Sequence, residues 1–87
     1  MRTIKDARYI MNHVADRMWE RYNIFIGDPD YIAMCAQVRD KINVEFINEE
    51  KQKNDLQQIY DVLFKGVTVR VVWSVSRQCV KTVLPIE

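Results

Sequence analysis

The chain has 87 residues, of which 48% are hydrophobic and 29% are charged. This is the composition of one ordinary globular domain spanning residues 1–87, and a chain of this length buries roughly 60–65% of its unfolded surface. It has room for one sheet and one or two helices, which excludes a deep cleft between two domains.

Charge is distributed unevenly along the chain, although the net charge is only +1. Residues 1–61 hold nine basic and eleven acidic side chains, whereas residues 62–87 hold four basic side chains and one acidic. The small net charge gives the molecule as a whole no strong affinity for nucleic acid. The positive potential is concentrated in its C-terminal part.

Cysteine usage and hydropathy indicate the compartment. Cys35 and Cys79 are the only cysteines, and both lie in apolar runs outside any metal-binding spacing. We expect two buried free thiols, as in a reducing compartment. No stretch is long and apolar enough to cross a bilayer, and no signal peptide follows the start M-R-T-I-K-D. These features predict a cytoplasmic protein with no membrane partner.

The first predicted element is a helix near the N-terminus. Thr3 is the expected N-cap, with Asp6 three residues later in a sequence that resembles a capping box. Apolar side chains then recur every three or four residues, which is the period of one buried helical face. They are Ile4, Ala7, Ile10, Met11, Val14, Met18 and Tyr22.

A second, shorter helix is predicted after Gly27. Asp28 is the expected N-cap and Pro29 the first helical residue, and the helix is expected to end before Lys41. Its apolar positions are Ile32, Ala33, Cys35, Ala36 and Val38.

The sequence of the remaining residues predicts β-strands. Alternation at 42–47 indicates the first strand, and the charged run at 48–55 is expected to be a solvated loop or hairpin tip. Residues 57–64 fit either a strand or a helical turn. We interpret them as a strand, because Lys65 and Gly66 then form a tight two-residue hairpin turn between apolar runs.

The last two strands are predicted at 67–75, where β-branched residues dominate, and at 79–84, where Pro85 blocks further extension. Helices followed by strands predict an α+β fold, with one or two N-terminal helices packed on a four-stranded antiparallel sheet.

Three candidate functional residues lie on the first helix. His13, Arg17 and Arg21 are spaced by four residues and form a row outside the apolar stripe. One interpretation is a solvated flank, in which the arginines pair with Asp16 or Glu20. The other places the row beside an open concavity, where a histidine that titrates near neutral pH lies beside fixed cations. The sequence leaves both interpretations open.

The second interpretation suits cleavage of RNA through its own 2′-hydroxyl. This chemistry needs a base for the hydroxyl proton, cations to stabilise the phosphorane and an acid for the leaving 5′-oxygen. His13 is the candidate base or acid. The candidate phosphate clamps are Arg17, Arg70 and Lys81, and the candidate orienting hydroxyls are those of Tyr60 and Thr82. With one histidine and no cluster of metal-ligating residues, we expect neither a metal nor another cofactor.

The closing hairpin has an undetermined register. Depending on the number of residues in the 75–79 turn, Arg70 shares a face of the sheet with Lys81 or with Thr82. All three residues equally suit ordinary strand positions, with the two cations on the solvent side to keep the sheet soluble.

Two stretches resemble a family of small domains found in phages and in toxin proteins. The helix H-V-A-D-R-M-W-E-R-Y-N-I, followed by D-P-D-Y-I, resembles the family opening H-x-x-x-R-x-x-E-R-y-g-i. The closing F-K-G-V-T-V-R-V-V-W-S-V-S-R-Q-C-V-K-T-V-L-P resembles the family's end. That family is placed in the barnase–EndoU–colicin–RelE ribonuclease superfold, in which helices precede a four-stranded antiparallel sheet. The resemblance covers nearly the whole chain in the same order.

The resemblance implies metal-independent RNA cleavage by a toxin-like or phage-encoded protein, with His13, Arg17 and Thr82 at the catalytic positions. RNA is then the expected partner, and the host cytosol is the expected location if a phage encodes the chain. The remaining expected substrate-binding residues are Arg21, Tyr60, Arg70 and Lys81.

Two other functions stay open. One is a non-catalytic, phage-type accessory protein that binds and inhibits a host protein, which the near-neutral charge of residues 1–61 slightly favours. The other is an RNA-binding module without cleavage. An exposed edge strand at 42–47 or 79–84 would also accept a strand from a protein inhibitor or from a second copy of the chain.

Overall fold

The computed structural model describes the backbone of residues 4–86 and the side chains of residues 8–86. The elements are α1 (Ile4–Tyr22), α2 (Asp28–Arg39), β1 (Val44–Gln52), β2 (Asp55–Phe64), β3 (Val67–Ser74) and β4 (Cys79–Leu84). The strands form one antiparallel sheet in the order β1-β2-β3-β4. The predicted α+β architecture, with N-terminal helices on a four-stranded antiparallel sheet, is confirmed. The capping box expected at Thr3 and Asp6 lies outside the described side chains.

Helix α1 lies along β4, the last strand of the sheet. Its apolar period buries Ile10, Val14 and Met18, as the sequence predicts. The helix ends at Asn23, whose backbone is left-handed (φ 59°) and whose N–H donates to the carbonyl of Trp19 at 3.0 Å. Asparagine tolerates this conformation, which stops the helix sharply and turns the chain toward α2.

Helix α2 begins one residue earlier than predicted, because Gly27 and not Asp28 is the N-cap. Asp28 and Pro29 occupy the first turn, where a negative charge is favourable and a missing N–H is harmless. The Asp30 carboxylate accepts a hydrogen bond from the Gly27 N–H at 3.0 Å. This bond is the main reason that the pKa of Asp30 lies below its usual value.

The buried face of α2 is only partly the predicted one. Ile32 and Ala33 are exposed, and the residues that face the core are Tyr31, Met34, Cys35 and Val38. Apolar side chains occur on all sides of this helix, so its sequence does not mark which face is covered.

Strands β1 and β2 form a longer hairpin than predicted. Residues 48–55 are not a solvated loop: they are paired strand except for the turn at Lys53 and Asn54. The predicted hairpin tip is present at this turn, whereas the alternative of a loop is wrong for the paired residues, because nearly every residue of β1 is exposed. Charged side chains then suit a strand as well as they suit a loop, since the backbone pairs with β2 whatever the side chains are.

The turn between β2 and β3 has the predicted form. Phe64 pairs with Val67, and the two turn residues, Lys65 and Gly66, have positive φ angles of 52° and 77°. Such a turn matches the twist of the strands that it joins.

The register of β3 and β4 contains an irregularity that determines where the candidate residues lie. Val72 pairs with Thr82, but Trp73 pairs with Val80, so Lys81 is left without a partner in a β-bulge. Because Arg70 and Val72 point to the same side of β3, Arg70 and Thr82 share a face of the sheet.

The core lies between the two helices and the other face of the sheet. The sheet residues that fill it are Tyr60, Val62, Phe64, Val69, Val71, Trp73, Val80 and Val83. Within residues 4–86, neither helix combines the length and the apolar content needed to cross a bilayer.

The last turn of α1 is tied to the end of β4. The Tyr22 hydroxyl donates to the Leu84 carbonyl and accepts the N–H of Arg70 at 3.0 Å. Arg21 donates to the neighbouring carbonyl of Val83. One phenol thus satisfies a donor on β3 and an acceptor on β4 at the point where Pro85 stops the strand.

Tyr22→Phe should lower the free energy of unfolding by about 1–2 kcal/mol, because the Arg70 N–H and the Leu84 carbonyl lose their partner in a partly buried place. Urea unfolding measures the effect. Tyr9→Phe is the control, since the Tyr9 side chain is 72% exposed. Equal losses in the two variants would contradict the bridging role.

Asp55, at the start of β2, is held by the turn between β3 and β4. Its carboxylate accepts the Ser74 hydroxyl at 2.6 Å and the Ser76 N–H at 3.0 Å. Partial desolvation alone would raise the pKa of Asp55, but the hydrogen bonds outweigh it and lower the pKa to about 2. The folded protein therefore keeps this carboxylate charged at a pH where the unfolded chain, with a usual value of 3.8, takes up a proton.

The contribution of Asp55 to stability is therefore complete above about pH 4 and lost as the pH falls toward 2. In Asp55→Asn, the decline in unfolding free energy between pH 5 and pH 2 should be shallower than in wild type. Urea unfolding at several pH values measures both slopes, with the exposed carboxylate variant Glu50→Gln as control. Parallel curves for wild type and Asp55→Asn would refute this assignment.

Candidate functional site

An open cavity of about 460 Å³ lies between α1 and the bulge of β4. We call it the His13 cavity. Its walls are Tyr9, Ile10, His13, Gln57, Val72, Arg77, Lys81 and Thr82. Helix, sheet and turn thus all contribute to one solvent-open hollow, and three of the predicted site residues lie in it.

His13 is half-buried, and its position is set from two sides. Its Nε2 lies 2.9 Å from the Thr82 hydroxyl oxygen. The ring of Tyr9, one helical turn earlier, stacks on the imidazole with 6.4 Å between ring centroids and 21° between planes. If Nε2 carries the proton and donates to Thr82, the lone pair of Nδ1 is free to accept a proton from a ligand.

Lys81 and Arg77 give the cavity its positive charge. Among the described residues neither forms an ion pair, and no carboxylate lines the cavity. In a regular strand, Lys81 and Thr82 would point to opposite faces of the sheet. Both reach the cavity because the bulge leaves Lys81 unpaired and breaks the alternation at this point.

The two arginines of the predicted helical row do not line the cavity. Arg17 pairs with Glu20 at 2.7 Å, and Arg21 donates to the carbonyl of Val83. The interpretation of the row as a flank with locally paired charges therefore describes Arg17, whereas Arg21 ties α1 to the sheet. Of the three row residues, His13 alone faces the hollow.

Arg70 and Tyr60 are also engaged elsewhere. Arg70 binds both oxygens of Asp61, at 2.8 and 3.1 Å, and this hydrogen bonding is the main cause that raises the pKa of Arg70. Tyr60 is buried on the core face of the sheet, where its hydroxyl donates to Gln58 at 2.9 Å. Neither side chain lines the His13 cavity.

Five lining residues were not predicted as site residues, and three of them, Tyr9, Gln57 and Arg77, carry polar or aromatic groups. Tyr9 lies four residues before His13, and this helical spacing was a usable signal. Gln57 and Arg77 carried no such signal. They reach the cavity through the pairing of β2 with β3 and through the turn after β3, which sequence spacing does not reveal.

The cysteines are free, as predicted, but only Cys35 is buried, and Cys79 is half-buried. Burial raises the pKa of the Cys35 thiol, and its sulfur accepts the Val80 N–H at 3.3 Å. A protonated, packed thiol of this kind is a poor nucleophile. Among the residues that the structure describes, no three His, Cys, Asp or Glu side chains are grouped as a metal site requires.

The chain was compared with known proteins. No protein-family model matches it, and no curated protein and no solved structure matches it either.

Thr82→Val should change the 15N resonance of His13 Nε2, because it removes the hydroxyl bonded to that nitrogen, whereas Thr82→Ser should preserve it. His13 is the only histidine in the chain, so the imidazole spectrum contains one residue and needs no assignment. An Nε2 resonance that does not move in Thr82→Val would show that the two side chains do not interact in solution.

Proposed function

We propose that this chain is a metal-independent endoribonuclease, toxin-like or phage-encoded, and that it binds and cleaves an RNA phosphodiester in the His13 cavity. The observation that carries the proposal is the hydrogen-bonded pair of His13 and Thr82 at the wall of a hollow whose charged side chains, Lys81 and Arg77, are both cationic.

His13 acts as the general base in this proposal. With Nε2 donating to Thr82, Nδ1 takes the proton of the ribose 2′-hydroxyl, and the 2′-oxygen attacks the adjacent phosphorus. Thr82 is then a positioning residue that accepts the hydrogen bond from Nε2 and holds the orientation of the ring. The reaction forms a 2′,3′-cyclic phosphate and breaks the bond from phosphorus to the 5′-oxygen.

The cations of the cavity carry the rest of the chemistry. The pentacoordinate phosphorane is more negatively charged than the bound phosphodiester, so Lys81 and Arg77 bind it more tightly than they bind the substrate. The Lys81 ammonium supplies the proton that the leaving 5′-oxygen takes. This assignment gives each of the three chemical demands a side chain of the cavity and routes no step through a metal.

Tyr9 and Gln57 have roles in binding the bases beside the scissile phosphate. Tyr9 is exposed and already stacked on His13 with nearly parallel rings, so its outer face is a platform for a base. The Gln57 amide offers a donor and an acceptor to a base edge.

His13→Ala and Lys81→Gln should each reduce the rate of RNA cleavage on the order of 100-fold, since each removes a proton-transfer or charge-stabilising group. The assay is incubation of the purified chain with total RNA in excess chelator, followed by analysis of the product ends. Lys51→Gln, at an exposed position in β1, is the matched control and should cleave like wild type. Cleavage that persists unchanged in His13→Ala excludes this mechanism.

Two other results would each favour one of the remaining functions. RNA binding that weakens with salt but yields no product identifies an RNA-binding module. If the chain neither cleaves nor binds RNA, the better candidate is a non-catalytic protein that inhibits a partner protein. The exposed edge strand β1, with Ile42, Phe46 and Ile47 at the surface beside or within it, supports that candidate because such edges accept partner strands.

A further inference from the structure

A second depression, of about 350 Å³, lies beside the carboxyl-terminal half of α1 and is lined by Ala15, Asp16, Trp19, Glu20 and Phe25. We call it the Trp19 depression. We propose that it is a docking site for an arginine side chain carried by a partner polypeptide. The proposal concerns a different surface from the His13 cavity and does not depend on the ribonuclease proposal.

The two aromatic side chains are held at the surface by the local backbone. The left-handed residue Asn23 ends α1, and Ile26, which is only 3% exposed, anchors the following loop in the core. Phe25 is consequently 80% exposed, and Trp19 is 56% exposed in the last turns of the helix. Two large aromatic groups exposed in one depression are a common mark of a binding surface.

The polar part of the depression is acidic. Asp16 and Glu20 supply two carboxylates, and the carboxyl end of α1 adds the negative end of the helix dipole. Glu20 is shared with Arg17 in an exposed pair, whereas Asp16 forms no ion pair among the described residues. An RNA phosphate would be repelled here, and a purely apolar segment would desolvate the carboxylates without replacing their hydrogen bonds.

A guanidinium group interacts with both the aromatic side chains and the carboxylates of the depression at once. It stacks on aromatic faces through cation–π attraction, and its planar fork donates two hydrogen bonds to one carboxylate. A lysine ammonium would have the charge but not the flat stacking surface. The depression is open to solvent, which suits the end of a side chain projecting from a polypeptide better than the enclosure of a small free molecule.

The test is an NMR titration of the 15N-labelled full chain with the peptide acetyl-Gly-Ser-Arg-Ser-Gly-amide. A peptide with citrulline, the neutral isostere, in place of arginine is the ligand control. We expect the arginine peptide to shift the Trp19 indole N–H and the amides of Asp16 and Phe25, while the indole of Trp73, only 2% exposed, stays in place. Asp16→Asn and Phe25→Ala should each weaken binding about two- to fivefold, and Glu50→Gln should leave it unchanged.

Three results would overturn the proposal. One is an equal response to the citrulline peptide, which would show that charge is not recognised. Another is unchanged binding in both depression variants, whose folding is checked by urea unfolding. The third is an equal response to tetramethylammonium at the same concentration, because the site would then take a free organic cation and not an arginine on a polypeptide.

Discussion

The β-bulge at Lys81 is the constraint on which the candidate site depends. A strand of regular alternation presents neighbouring side chains to opposite faces, so it would direct either Lys81 or Thr82 away from the hollow. The bulge releases Lys81 from pairing and turns the strand locally, and both side chains then line the same cavity. Bulges are common beside functional sites because they redirect one side chain without interrupting the sheet.

The bulge has this consequence only because α1 lies along β4. The helix is fixed near its carboxyl end by Tyr22 and Arg21, which bind the last carbonyls of β4. It is fixed again nearer its start, where His13 meets Thr82. Between these contacts, Val14 and Met18 are fully buried in the core. A helix held at its middle and at its carboxyl end, and packed in the core between these contacts, fixes the position of His13 relative to the sheet, as a preorganised site requires.

The sequence was sufficient to predict the order of elements, because periodicities of 3.6 and 2 residues and a Lys-Gly turn are local signals. It predicted the beginning of β1 but not its extension beyond residue 47, where exposed charged residues resemble a loop until the partner strand is known. It did not indicate the bulge, which is a property of the pairing and not of one strand. It also did not separate free cations from neutralised ones, since Arg70 acquires Asp61 only through the register of β2 and β3.

Whether a basic side chain has an ion-pair or hydrogen-bond partner therefore indicates its role more clearly than its residue type does. Arginines that reach a carboxylate or a carbonyl, such as Arg17, Arg21 and Arg70, act within the fold. Lys81 and Arg77, which form no ion pair among the described residues, leave their positive charge directed into the cavity. Two of the four basic side chains in residues 62–87 are paired with carboxylates: Arg70 with Asp61 and Lys65 with Asp30. The other two basic side chains both line the His13 cavity.

Helix α1 also borders two surfaces of opposite charge. At 100° per residue, Tyr9 and His13 lie on one flank of the buried stripe, and Ala15 and Trp19 lie on the other. The carboxylates of the depression are less clearly separated from the cavity, because Asp16 lies three residues after His13 and so adjoins it on the solvent side of the helix. The cavity favours an anion near its two cations, and the depression favours a cation near its two carboxylates, but each potential weakens the other where the surfaces adjoin. One amphipathic helix thus supports the core through its buried stripe and contributes side chains to both candidate sites.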